Sequence, residues 1–188
     1  KASAFCQMRE LEKTTEDNGP EFVFAHIEVM HPPYVFGPGG STYIQKTRGW
    51  GEPREYIYQA EALNKMILPV IDKILKNSKK PPIIVIHSDH GPGLVPYTKT
   101  ELTPTTIHRK TRIFAAVLIP KGKGYGDFYP GISPVNFMRI VFNTQFGASM
   151  PLLPDKSYLY LYDKGDFEDV TAIANPDASA RRPATNKK

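Results

Sequence analysis

Apolar and polar positions fall into blocks along this chain, and the period changes from block to block. Residues Ile83-Ile84-Val85-Ile86 form an unbroken β-branched run, bounded by Pro81-Pro82 before it and Ser88-Asp89-His90-Gly91 after it. An apolar run of this length between Pro and Gly predicts a strand, 82–88, buried on both faces. A second apolar stretch, 22–31, also ends in a histidine and runs into a Pro32-Pro33-Tyr34 turn, so it predicts another strand. Between the two, from Arg54 to Asn77, apolar residues recur at helical spacing, with Leu63, Ile67, Val70 and Ile74 expected to face inward. Pro69 lies inside that helix and predicts a bend. Strand, helix and strand in this order predict two parallel strands joined by a right-handed crossover.

The remaining blocks are shorter. A charged helix is expected from Ala4 to Glu16, then a turn at Asp17-Asn18-Gly19-Pro20. Gly37 to Gly51 reads as a Gly- and Pro-rich loop, and 91–106 as a polar, Pro-rich one. Arg112 to Pro120 predicts a strand. Ser133 to Phe146 predicts a helix with Ser133 as N-cap and Pro134 at its first position. Tyr158 to Tyr162 alternates as a short strand. The expected fold is α/β, a mainly parallel, helix-covered sheet in one domain over 1–174, with a polar tail at 175–188.

Composition narrows the function classes. The 188 residues are 40% hydrophobic and 23% charged, enough for a sizeable core. The net charge of +5 is mildly basic, but part of the excess lies in the tail Arg181 to Lys188. Basic residues elsewhere are not interleaved with aromatics, which argues against a nucleic-acid partner. A single cysteine, Cys6, excludes an intrachain disulfide and a thiolate metal cluster. No stretch approaches the roughly 20 apolar residues of a membrane span.

Candidate chemistry gathers where the apolar runs end. In open α/β sheets ligands sit beyond the carboxyl ends of the strands, and Asp89 and His90 stand there. A carboxylate oxygen and an imidazole nitrogen suit zinc or a harder divalent ion. Consecutive residues on a regular strand point to opposite faces, so only a turn brings both into one pocket, with Gly91 as its enabler. The alternative is that Asp89 merely caps the turn. His31 stands at the end of the other run, where packing beside Pro32 and Tyr34 is one account of it. Weaker candidates are His87 as a supporting partner, His26 as a local hydrogen-bonding group, and His108, Arg109 and Arg112 as a basic strand entry. Arg48 and Trp50 complete them, as a loop above the first strand end.

The ordered combination of strand–His31-Pro32-Pro33-Tyr34, long helix and strand–Ser88-Asp89-His90-Gly91 resembles the later half of a sulfatase-like protein of the alkaline phosphatase superfamily. The nearest branch is the membrane-anchored phosphoglycerol and phosphoethanolamine transferases and their sulfatase-like relatives. Ser133-Pro134-Val135-Asn136-Phe137-Met138-Arg139 with Pro151 to Asp155 also resembles the C-terminal pattern of those relatives. The resemblance implies a partial alkaline-phosphatase-like domain and a divalent metal, zinc or manganese, held by Asp89 and His90. It implies an anionic phosphate or sulfate ester as substrate, contacted by His31. It further implies a membrane anchor in an N-terminal part, on the extracytoplasmic face of a bacterial membrane. Members carry an early acidic metal ligand and a Thr, Ser or Cys nucleophile before the His-Pro-Pro element. Lys1 to Pro20 offers no strand ending in an acidic residue, and Thr14 and Thr15 lie in a helical or turn region, so no catalytic nucleophile is assigned here. The expected function is the later half of a metal-dependent phosphoester or sulfoester hydrolase or phospho-group transferase. The alternative is a non-catalytic module that binds an anion or a partner.

Overall fold

The computed structural model describes residues 1–14, 19–46, 52–93, 98–120 and 124–176. These form two compact units that divide between Pro82 and Ile83. Thr15, Glu16, Asp17, Asn18, Arg48, Trp50 and the tail from residue 177 lie outside the described residues.

The first unit is built on two helices, α1 (Ala2–Leu11) and α2 (Pro53–Asn77). At the start of α2, Pro53 takes the first position and the Glu55 carboxylate accepts the Glu52 amide at 2.9 Å, which satisfies an orphan donor of the first turn. The helix continues through Pro69, with Val70 buried directly after it and Leu63, Ile67 and Ile74 half-buried. Its best-buried residues nearer the start are Glu55, Gln59 and Ala62, so the inward stripe begins with polar side chains. Ala62 packs in a cluster with Ala4, Val29 and Phe36, flanked by Ile27, Val35, Leu63 and Met66.

The second unit carries β1 (Ile84–His87), α3 (Pro104–Thr111), β2 (Ala115–Leu118), α4 (Pro134–Phe146), β3 (Tyr158–Leu161), β4 (Asp166–Asp169) and α5 (Thr171–Ala174). β1 pairs with β2 antiparallel, from Ile84 opposite Leu118 to His87 opposite Ala115. β3 and β4 form a second antiparallel pair. Ser133 caps α4 and Gly147, at φ 67°, ends it in the left-handed conformation. Asn136, on the first turn of α4, is fully buried: its Nδ2 donates to the Leu153 carbonyl at 2.6 Å and to Asp155 Oδ1 at 2.8 Å, while its Oδ1 accepts the Leu153 amide at 2.9 Å. Leu159 and Val170 pack with Ile107 of α3 in the unit's buried cluster.

This architecture corrects the expected fold class. Among the described residues there are two small antiparallel pairs and no parallel sheet, so the chain is not a mainly parallel, helix-covered α/β domain. The reason lies first in 22–31. Residues 21–27 form no ladder, Glu28–Met30 make a 3-10 turn, and Phe22 and Phe24 are 82% and 80% exposed. Without that strand there is no parallel crossover to 82–88. β1 instead pairs with the next apolar run in its own unit, and short connected strands pair antiparallel without the long crossover that parallel pairing requires.

Candidate metal and anion site

The Ser88-Asp89-His90-Gly91 turn leaves β1 and is fixed from two sides. Ser88 donates its amide to the Phe114 carbonyl at 3.0 Å and accepts the Phe114 amide on its hydroxyl at 3.1 Å. Gly91 donates its amide to the Lys110 carbonyl at 2.7 Å. A Cβ on Gly91 would stand 1.8 Å from the Arg109 carbonyl oxygen and 3.1 Å from that of Arg112. Gly91 is therefore needed for close approach to the end of α3. It does not serve a left-handed bend, because its φ is not positive.

Within the turn, the two oxygens of Asp89 have different partners. Oδ1 accepts the His90 amide at 2.9 Å, and Oδ2 lies 3.6 Å from His90 Nε2. Oδ1 thus caps the turn while Oδ2 stands beside the imidazole. His90 Nδ1 is 2.6 Å from the Gly91 carbonyl. A carbonyl only accepts, so Nδ1 carries the proton in the neutral ring and Nε2 is left as the lone-pair nitrogen. This is the arrangement by which a backbone carbonyl orients a metal-ligating histidine.

The residues fit a divalent cation as a two-donor set. Ligands about 2.1 Å from zinc at a tetrahedral angle lie about 3.4 Å apart, close to the 3.6 Å between Asp89 Oδ2 and His90 Nε2. The Asp89 side chain is 81% exposed and that of His90 37%, so further ligands have room to approach. Among the described residues no group of three or more metal-binding side chains gathers, and the pair supplies only part of a shell.

A third side chain belongs to this place. Lys110, on the last turn of α3, brings Nζ within 3.4 Å of His90 Nδ1. Burial lowers its ammonium below the ordinary lysine value, and the Asp89 carboxylate opposes that shift. Sequence reasoning missed Lys110 because it read 91–106 as loop and carried no helix into 107–111. The signal was present: Thr103 before Pro104, with Thr106 three residues on, is a helix start, and Thr103 Oγ1 does accept the Thr106 amide at 3.2 Å.

The other candidates each have their own surroundings. His31 lies in the first unit, exposed, with Nδ1 2.7 Å from the Pro32 carbonyl oxygen. Its segment is held by Gln59: Oε1 accepts the Val35 and Phe36 amides at 3.2 and 3.1 Å, and Nε2 donates to the Phe36 and Glu55 carbonyls at 2.7 and 3.0 Å. Tyr43 donates its hydroxyl to the Glu55 carboxylate. Tyr34 is buried, which pushes its hydroxyl up to about 12, with Tyr56 and Glu55 adding to the shift. His26 is exposed and outside any strand, and its carbonyl accepts from Gln7. His87 turns to the Ser88 carbonyl at 3.2 Å and lines a small crevice with Ala115 and Phe137. His108 Nδ1 is buried without a hydrogen-bond partner among the described residues. Arg109 and Arg112 approach the turn with their carbonyls and expose their side chains. Asn136 and Asp155, one from each of the two stretches of the C-terminal pattern, are hydrogen-bonded to each other. No protein-family model, curated protein or solved structure matches the chain.

Proposed function

We infer that this chain carries part of the site of a metal-dependent phosphoester or sulfoester hydrolase or phospho-group transferase, with Asp89 and His90 as metal ligands. The observation that supports this reading is the Asp89–His90 pair itself, at a spacing suited to one cation and with the imidazole tautomer set by the Gly91 carbonyl. A bound divalent ion would supply Lewis-acid polarisation of the ester and activation of a nucleophile. The chain's own part is narrower. Asp89 presents a carboxylate oxygen, His90 presents Nε2 with its proton held on Nδ1, and the Gly91 contact with α3 keeps both from drifting. The sequence resemblance assigns the nucleophile to a Thr, Ser or Cys that no residue here matches.

Calorimetric titration with manganese and with zinc tests the reading on the parent, Asp89→Ala and His90→Ala. A two-ligand set binds weakly, and loss of either ligand is expected to cost at least about tenfold in affinity. Equal binding by the parent and both variants would remove the metal assignment. The same chain is expected to show no turnover on aryl phosphate, phosphodiester or sulfate substrates, since removing a covalent nucleophile costs several orders of magnitude in rate.

A further inference from the structure

We propose that the outer edge of β2 is a binding site for an extended peptide of another protein, which adds as a further strand and sets an uncharged apolar side chain in the groove beside it.

The argument begins with the way the backbone of β2 faces. Ser88 donates its amide to the Phe114 carbonyl at 3.0 Å, and these two residues continue the register in which Ile86 stands opposite Ala116 and Ile84 opposite Leu118. In an antiparallel pair, hydrogen-bonded and non-hydrogen-bonded positions alternate. Phe114, Ala116 and Leu118 therefore turn their N–H and C=O groups towards β1, and Ala115, Val117 and Ile119 turn theirs away. Ile119 shows the same alternation. Its amide donates to the Tyr125 hydroxyl and its carbonyl accepts from that hydroxyl, each at 3.1 Å. Tyr125 thus closes the outer edge at Ile119. Among the described residues Ala115 and Val117 make no hydrogen bond on that side, so a donor and an acceptor stand open at every second residue. The backbone of an extended chain matches that spacing.

A groove lies against this edge. It holds about 350 Å³ and is lined by Ala115 and Val117 of the strand, by Tyr125, Phe128 and Tyr129, and by Phe137 of α4. None of its lining side chains is charged. Both tyrosine hydroxyls are engaged, Tyr125 with Ile119 and Tyr129 with Asp155 at 2.7 Å, so the groove offers ring surface rather than hydroxyl groups. The polar groups left to a ligand belong to the backbone and run along an extended line. A peptide satisfies both surfaces at once, with main-chain hydrogen bonds for affinity and one apolar or aromatic side chain for specificity.

The unit's other strand pair is built differently. β4, Asp166-Phe167-Glu168-Asp169, is dominated by carboxylates, and charge is a usual means of keeping an edge from pairing with another chain. β2 reads Ala115-Ala116-Val117-Leu118, with neither charge nor proline. Its edge is closed by Tyr125 at one end and left unguarded at Ala115 and Val117.

The test uses the whole chain and four seven-residue peptides, blocked at both termini, with Thr and Val as flanking residues and Phe, Ile, Lys or Glu at the centre. The Phe and Ile peptides are expected to bind at least about tenfold more tightly than the Lys and Glu ones. On binding, hydrogen exchange at the Ala115 and Val117 amides is expected to slow by about tenfold or more, while Ala116 and Leu118, already in the ladder, stay unchanged. Val117→Pro removes an outward donor that the ladder does not use and is expected to lose about tenfold in affinity. Two N-methylated Phe peptides, blocked on alternate amides, keep the test independent of how that variant folds: one is expected to lose about tenfold, the other to bind like the parent peptide. Absence of binding by all four peptides, equal binding of the Phe and Glu peptides, or indifference to N-methylation overturns the proposal. Slowed exchange at Ala115 and Val117 in the peptide-free chain as its concentration rises overturns it too, because the occupant would then be a second copy.

Discussion

Residues 22–31 and 83–90 start from one pattern, an apolar run closed by a histidine, yet the first is irregular and the second a strand followed by a fixed turn. The difference lies in what each run finds within its own unit. Ile84–His87 meets Ala115–Leu118, an extended run that completes its ladder. Residues 22–27 meet no strand among the described residues of the first unit, which is built on two helices. A strand is a property of a pair, since its backbone donors and acceptors need a neighbour. The two histidine segments are also anchored by different means. Gln59 of α2 grips the backbone of Val35 and Phe36 with a side chain. The Asp89–His90 turn is gripped by the absence of a side chain, at Gly91.

The largest test of that contrast is Gly91→Ala. One methyl group would have to occupy space 1.8 Å from a backbone oxygen, and backbone cannot rotate aside as a side-chain tip can. The expected cost exceeds about 4 kcal/mol, in the range where a single substitution is exceptional, and the manganese affinity of the turn should fall with it. Thermal denaturation of the purified variant measures the first effect. A variant as stable as the parent would mean that the turn and α3 are not held in contact.

Gln59→Leu tests the other anchor. The swap keeps similar volume but strands the Phe36 amide and carbonyl in a buried setting, which is expected to cost about 3 kcal/mol. Amide exchange at Val35 and Phe36 should accelerate together. Unchanged protection there would show that hydrogen bonds elsewhere hold the segment, such as the Tyr43 amide to the Val35 carbonyl at 3.1 Å.

A smaller effect is expected at the Asp155 carboxyl in the second unit. Burial would raise it, but hydrogen bonds from the Ser133 amide at 2.7 Å, the Tyr129 hydroxyl at 2.7 Å and Asn136 outweigh burial and hold it below the ordinary aspartate value. A group whose folded pKa is depressed contributes stability that is fully present above its unfolded value, about 3.9 for aspartate, and is lost as pH falls through the folded value. Asp155→Asn removes that titration. The stability gap between parent and variant should therefore be widest above about pH 4 and should narrow as pH falls further. Urea midpoints across that range read it, and a gap independent of pH would mean that the carboxylate charge plays no part.

Legibility in the sequence follows the same division between local and paired information. The Ser133-Pro134 start of α4, the periodicity of α2 and the apolar cores of β1, β2 and β3 are local signals, and each element appears where its signal lies. Sheet direction is not local. A continuous β-branched run reads as a doubly buried parallel strand, but β1 takes an antiparallel neighbour and keeps its residues half-buried or exposed. β4, Asp-Phe-Glu-Asp, is too acidic to read as a strand and exists because β3 offers it a partner. The site divides likewise. Asp89 and His90 are legible because they are adjacent. Lys110 arrives from 20 residues away, and the imidazole tautomer depends on a backbone carbonyl that no residue identity reveals.

The smallest expected effect bears most directly on the comparison. Phe22 and Phe24 sit on alternating positions of the run that did not become a strand, 82% and 80% exposed. Exposed to this degree, their rings remove little apolar surface from water on folding, and substitutions away from buried features usually stay within about 0.5 kcal/mol. Phe22→Ser and Phe24→Ser are therefore each expected to leave the denaturation midpoint of this chain nearly unchanged. The matching substitution in β1, Val85→Ser, is expected to cost more, because Val85 is half-buried opposite Val117 in a formed ladder. Measured side by side, the three variants rank the two runs by how far each is packed. If Phe24→Ser proved as damaging as Val85→Ser, the run 22–27 would be a packed strand after all, and the contrast between the two histidine segments would be lost.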